Sequence, residues 1–382
     1  MAELLRKLWK EKDGRRMAEY IVIVLIIAFA GIIIVSGCGD DSKDAIDCTC
    51  STLAEVAEQT GFWIGAAIAD PEGDLEQKTI GVHFNSVTAE NAMKWGSLAP
   101  SVGQYDFQEA DALVDFADER GVRIRGHVLV WRNQQPADLE AEVLGADDPE
   151  ARLRAILAEH IEAVAGRYSG QVDTWDVVNE PMEQYGIQID NNLFYQYLGE
   201  EYIDESFSLA RAADPQARLF LNEYFYVHNP TDERVVAFHA LVKRLLERGV
   251  PIDGVGIQGH FWGILGVDEL PARTAFEEML RSFTELGLEV EITEMDVSRN
   301  YFPHAEDPFA EQAQVYADVF AACRAVPDCI GVTTWGMSDI NTWLDRNEPF
   351  SNYAPHHPLL LDTNLQPKPA YYAVCEVLLG CR

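Results

Sequence analysis

Eight short apolar, β-branched runs, at 62–67, 82–87, 123–129, 173–178, 218–222, 254–258, 289–293 and 331–334, alternate with amphipathic stretches at 110–120, 149–167, 193–213, 232–248, 272–286 and 308–323. Strands separated by helices pair in parallel through right-handed crossovers. Eight such repeats in this length predict a closed (β/α)8 TIM barrel. Gly121, Gly249 and Gly287 stand between a helix end and the next strand, where helix C-caps belong. No long Pro/Gly/Ser linker interrupts the alternation. Residues 51–382 therefore read as one domain, and residues 1–50 as a separate signal or anchor segment with a short tether.

That first segment has its own grammar. Arg6, Lys7, Lys10, Lys12, Arg15 and Arg16 precede an apolar run at 21–35. The run has the length of a signal-peptide core and is short for an unassisted membrane span. The basic flank predicts a cytoplasmic N-terminus, with the rest of the chain extracytoplasmic. Val35-Ser36-Gly37-Cys38 resembles a bacterial lipobox, in which Cys38 would carry lipid. Gly14 followed by Glu19-Tyr20 and the apolar run resembles the processing site of Flp-type pilins. An uncleaved signal anchor is the third reading. Each brings the chain to a bacterial membrane or beyond it.

The formal charge of −34 excludes nucleic acid and anionic lipid surfaces as partners, but does not repel a neutral polysaccharide. Apart from Cys38, the cysteines are Cys48, Cys50, Cys323, Cys329, Cys375 and Cys381, an even set that suits disulfides in an oxidising compartment. Cys323 and Cys329 flank a short segment before a strand and are expected to pair. Cys48 or Cys50 could meet Cys375 or Cys381, since the ends of a closed barrel come together. The Cys-x-Cys spacing lacks the histidines of a zinc site, so no metal is expected.

Polar and aromatic residues gather directly after the strands, at the end where barrels build active sites. The clusters are Thr88-Ala89-Glu90-Asn91-Ala92-Met93-Lys94-Trp95; His127-Val128-Leu129-Val130-Trp131-Arg132-Asn133-Gln134; Asn179-Glu180-Pro181; Asn222-Glu223-Tyr224; Gln258-Gly259-His260; Thr293-Glu294-Met295-Asp296; and Trp335, followed by Trp343. Glu180 and Glu294 each close an apolar strand. Two carboxylates in that position suit cleavage of a glycosidic bond, which needs one proton donor and one nucleophile or base. No Gly-rich phosphate loop, HExxH or serine elbow is present, and no cofactor is expected.

The seven clusters, in order over about residues 60–375, resemble glycoside hydrolase family 10 endo-β-1,4-xylanases. The resemblance implies hydrolysis of internal xylan bonds by a retaining double displacement. Glu294 corresponds to the nucleophile and Glu180 to the acid/base. Asn179 would serve the sugar 2-hydroxyl. His260 and Asp296 would hold Glu294, with Asp296 fixing the imidazole tautomer. Glu90, Asn91, Lys94, His127 and Gln258 would bind hydroxyls on the non-reducing side, and Gln134 is a further binding candidate. Trp131, Trp335 and Trp343 would supply apolar faces, and Tyr224 a platform on the leaving-group side. The Cys323–Cys329 pair also resembles a disulfide of some members. Met93, Trp95 and Trp175 read as core, and Glu223 and Glu291 as supporting or surface carboxylates.

Two positions depart from the family pattern. Arg132 stands where histidine is usual, and Glu223-Tyr224-Phe225 where Asp-Tyr-Asn is usual. Both leave the paired glutamates intact and bear on the leaving-group side. Two other functions fit parts of the pattern. A retaining β-glucanase or mannanase shares the two glutamates but lacks the Glu90-Asn91/Lys94 set. A non-catalytic carbohydrate-binding surface protein fits the pilin-like leader.

Overall fold

The computed structural model describes residues 50–263, 269–340 and 342–382. The expectations for Cys38, Cys48, the apolar run at 21–35 and the lipobox and pilin-like motifs lie outside the described residues.

The parallel strands are β1 (Trp63–Ile68), β2 (Ser86–Ala89), β3 (Arg123–Trp131), β4 (Thr174–Asn179), β5 (Arg218–Glu223), β6 (Gly254–Ile257), a two-residue β7 (His260–Phe261), β8 (Glu289–Val297) and β9 (Cys329–Thr334). Neighbours run β6-β5-β4-β3-β2-β1-β9-β8, and the β6–β8 pairing closes the ring. Without β7, which pairs only along the top of β8, the result is the eight-stranded barrel that the alternation predicts.

Local chemistry sets the element ends. Asp148 and Asp307 accept backbone N–H groups at the starts of helices Pro149–Arg167 and Pro308–Ala325, each with proline in the first turn. Gly121 closes helix Gln108–Arg120 at φ 63°. The expected helix at 193–213 is two helices, Leu193–Leu198 and Glu201–Ala213, because Gly199 at φ 63°, ψ −162° breaks the chain between them. Strand β2 starts at Ser86, later than the apolar run. Before it, the Asn85 side chain accepts from Ile64 N on β1 and donates to Phe62 O just before β1.

Apolar side chains from strands and helices form one continuous core, which includes Met93, Trp95 and Trp175. The barrel interior is not wholly apolar. Arg125, Asp176, Glu291, Thr293 and Thr333 are all buried on strands. Arg125 donates to Glu291 (3.1 Å) and Asp176 (2.7 Å), and Arg123 adds 3.0 Å to Glu291. Glu291 is thus a buried ion-pair partner, not a surface group. Charges this deep persist only when paired, and removing one partner costs about 3–5 kcal/mol.

Two disulfides join described residues. Cys323–Cys329 closes the turn before β9. Cys50–Cys375 ties the start of the domain to its last helix, Pro369–Leu379.

Candidate active site

Three strands become irregular at the barrel mouth. The register shifts between His127 and Val130 on β3, between Asp176 and Val178 on β4, and between Ile292 and Met295 on β8. Such irregularities re-aim side chains beside active sites. Here they fall at His127 within β3, around Glu294 within β8, and just before Glu180, which follows β4. All three line one cleft of about 770 Å³, together with Glu90, Asn91, Lys94, Trp131, Gln134, Asn179, Tyr224, Gln258, His260, Trp335 and Trp343. Of the residues expected at the site, only Asp296 lies behind the cleft wall rather than on it.

Glu294 lies within β8 and is 5% exposed. Its Oε1 accepts from Asn222 Nδ2 (2.7 Å), and its Oε2 accepts from His260 Nε2 (3.3 Å). Burial pushes this carboxyl up, but the His260 hydrogen bond and the fields of His127 and His260 outweigh it. Its pKa therefore lies below the usual carboxylate value and the group is ionised at neutral pH.

His260 pairs with Asp296 through the β7–β8 register, with Nδ1 3.0 Å from Oδ1. Burial lowers its pKa, but Asp296 and Glu294 reverse this and hold it up at about 10. The ring is therefore an imidazolium with two N–H groups, each facing a carboxylate. Asp296 also accepts from Trp343 Nε1 at 2.7 Å, so the nucleophile-side cluster anchors an aromatic wall of the cleft.

Glu180 follows the last residue of β4 and adopts φ 50°. A non-glycine residue in this region costs on the order of 1–3 kcal/mol and persists where its surroundings force it. Its Oε2 accepts from Trp131 Nε1 (3.0 Å) and Arg132 Nη2 (2.9 Å), and its Oε1 from Gln258 Nε2 (3.1 Å). Gln258 therefore serves Glu180, and also Asn179 Oδ1 (3.3 Å), instead of reaching only for a sugar. Asn222 Nδ2 also donates to Asn179 Oδ1 at 2.8 Å. An amide chain thus runs from Glu294 through Asn222, Asn179 and Gln258 to Glu180, and leaves the Asn179 NH2 available to donate. Thr293 Oγ1 fixes Asn222 from behind at 2.7 Å. Gly256 makes room, since a Cβ there would lie 2.1 Å from Asn222 Oδ1.

At one end of the cleft, Glu90 Oε1 takes bonds from Asn91 (3.2 Å) and Arg346 (3.0 Å), while Lys94 Nζ donates to Asn91 Oδ1 (3.1 Å). Lys94 lies 5.3 Å from the centre of the Trp131 ring. Burial lowers its pKa despite the carboxylates Glu294, Glu90 and Glu180. His127 Nδ1 meets Asp176 Oδ2 at 2.9 Å, which couples the cleft floor to the buried Arg125 network. Trp335 stands edge-on to His127 at 5.2 Å.

At the other end, Tyr224 is 7% exposed. Arg234 lies 4.6 Å from its ring centre, and its hydroxyl donates to Gln184 O. Tyr226, edge-on to Tyr224 at 5.4 Å, adds a second ring to the lining. Glu223 is buried, pairs with Arg234 at 3.0 Å and is pushed up to about 7 by burial. Asn222, Tyr226, Trp262 and Arg346 were not singled out as site residues from the sequence. Asn222 lies at the end of β5, and Tyr226 and Trp262 follow β5 and β7, so position at or just past a strand end is the available signal.

Residues 52–377 match the sequence profile of glycosyl hydrolase family 10. Endo-1,4-beta-xylanase B of Paenibacillus barcinonensis is 37% identical, over 82% of this chain and 94% of its own. Among solved structures, xylanase 10B of Thermotoga maritima superposes with a TM-score of 0.76 at 32% identity, covering 87% of this chain and 100% of that one. A xylanase 10C mutant of Cellvibrio japonicus in complex with xylopentaose gives 0.78 at 30% identity, covering 88% and 70%.

Proposed function

We propose that this chain, which belongs to glycosyl hydrolase family 10 and is an endo-1,4-β-xylanase, works through Glu294 as nucleophile and Glu180 as acid/base in a retaining double displacement. The observation that carries the assignment is the unequal setting of two glutamates on one cleft. Glu294 is buried, ionised and braced by an imidazolium. Glu180 stands past its strand end, reached by Trp131 at the end of β3 and by Arg132 and Gln258 just past β3 and β6.

The steps follow from that setting. Glu294 attacks the anomeric carbon while Glu180 gives its proton to the departing oxygen. Esterification removes the charge of Glu294; Glu180 then takes a proton from water, whose oxygen attacks the anomeric carbon and releases Glu294 as a carboxylate. Retention by this route asks for carboxyl groups about 5–5.5 Å apart. The NH2 of Asn179 donates to the 2-hydroxyl of the sugar being transferred. Glu90, Asn91 and Lys94 serve the non-reducing side, and Gln184 and Tyr226 the leaving-group side. Xylo-oligosaccharide is the expected occupant, as in the xylopentaose complex named above. The two disulfides fit an oxidising, extracellular compartment. An N-terminal anchor remains part of the proposal.

Reducing-sugar release from xylan, β-glucan, mannan and carboxymethylcellulose tests the reading, with Glu294→Ala as control. Release from xylan above the other three, lost in the variant, is the expected result. Preferred release from β-glucan or mannan would contradict it.

A further inference from the structure

Two arginines grip the turn that carries Glu180. Arg132, just past β3, donates through Nη2 to the Glu180 carboxylate at 2.9 Å. Its Nη1 donates to the carbonyl oxygens of Glu180 and Met182, the latter at 3.1 Å. Arg234, from helix Glu233–Glu247, donates to the carbonyl oxygens of Glu183 and Gly186, the latter at 2.8 Å. The Glu223 carboxylate, paired with Arg234, accepts Met182 N at 3.1 Å. Met182 is therefore held at its N–H by Glu223 and at its C=O by Arg132, two residues beyond a glutamate in the left-handed region.

We infer that Arg132 is the positioning residue of the acid/base in this enzyme. The inference rests on the assignment of Glu180 to that role. Among the described residues, Trp131 and Gln258 also donate to the Glu180 carboxylate, but only Arg132 holds the carboxylate and its backbone together. A planar guanidinium can serve several acceptors at fixed geometry, whereas an ammonium is a point donor. Arg132 makes no bond to Glu294, so its work falls on proton transfer and not on nucleophilic attack.

The test separates those two steps by leaving group. Phenyl β-xylobioside needs a proton on its departing oxygen, and 2,4-dinitrophenyl β-xylobioside does not. Arg132→Ala is expected to lower kcat/KM on the phenyl substrate by about tenfold or more, part of the 10²–10⁴ that general acid catalysis supplies. On the dinitrophenyl substrate kcat/KM should hold, while kcat and KM fall together because water attack still needs the base. Arg132→Lys keeps the charge but not the two-point grip. It should show the same split in smaller measure, and decides the matter if the alanine variant does not fold.

Equal loss on both substrates would make Arg132 a structural or sugar-binding residue and overturn the inference, as would unchanged activity on the phenyl substrate. Glu180→Ala is measured alongside. If it splits the substrates and the Arg132 variants do not, the positioning role alone fails. If Glu180→Ala shows no split, the assignment of Glu180 fails and the inference goes with it.

Discussion

Glu294 and Glu180 are the same residue type at the mouth of one barrel, and the fold treats them oppositely. Glu294 is embedded in β8, flanked on both sides by barrel strands, and faces a cation that is itself neutralised by Asp296. Its carboxylate is kept charged and still. Glu180 has just left its strand, in a backbone region that costs energy, and its carboxylate is bonded by Trp131 at the end of β3 and by residues just past β3 and β6. A strand interior provides fixity, and a residue past its end provides access for leaving groups and water. The amide chain of Asn222, Asn179 and Gln258 ties the two environments into one geometry.

Substitutions should expose this asymmetry in order of size. Glu294→Ala removes the nucleophile and should depress kcat on xylan by at least about 10⁴-fold, read by reducing-sugar release. Glu180→Ala should cost about 10²–10⁴-fold on xylan, yet recover turnover on dinitrophenyl xylobioside when azide replaces the base-activated water. Equal behaviour of the two variants towards azide would break the comparison.

Asn222→Ala tests the link between them. It deletes a charge-assisted donor to Glu294, worth roughly 1.5–3 kcal/mol. At 1.36 kcal/mol per decade this is roughly 10–150-fold in kcat/KM, and the loss should appear on both leaving groups, unlike that of Arg132→Ala.

The smallest effect concerns stability. His260 is raised in the folded protein to about 10, above an unfolded value of about 6.5. Its stabilisation is fully present below about pH 6.5 and is lost as pH rises through about 10. The Tm advantage of the wild type over His260→Gln should therefore shrink across that window, by on the order of a few degrees. A gap that stays flat across that window would mean that the ring is already neutral in the folded protein.

Much of this was legible in the sequence because barrels impose a period. Eight apolar runs and their glycine stops locate the strands, and the residues after them locate the cleft. What was hidden depends on packing across the chain. Asn222 reads as the end of a strand, and its part emerges only when the β4–β5 register sets it beside Asn179. The charge of His260 depends on Asp296, which β7 brings alongside. Tyr224 reads as an open aromatic platform, but Arg234, ten residues on, packs against it. Arg132 stands out in the sequence only as a departure, and its three contacts require the turn after Glu180 to be in place. Helices Leu53–Thr60 and Pro369–Leu379 lie outside the alternation that revealed the rest.

The most direct test of the division of labour is to trap the intermediate. The enzyme is inactivated with 2,4-dinitrophenyl 2-deoxy-2-fluoro-β-xylobioside, digested, and its labelled peptide sequenced by mass spectrometry. A fluoroxylobiosyl ester on Glu294 is the predicted result. A label on Glu180 or on another residue, or turnover with no covalent adduct and inversion at the anomeric carbon, would contradict the account.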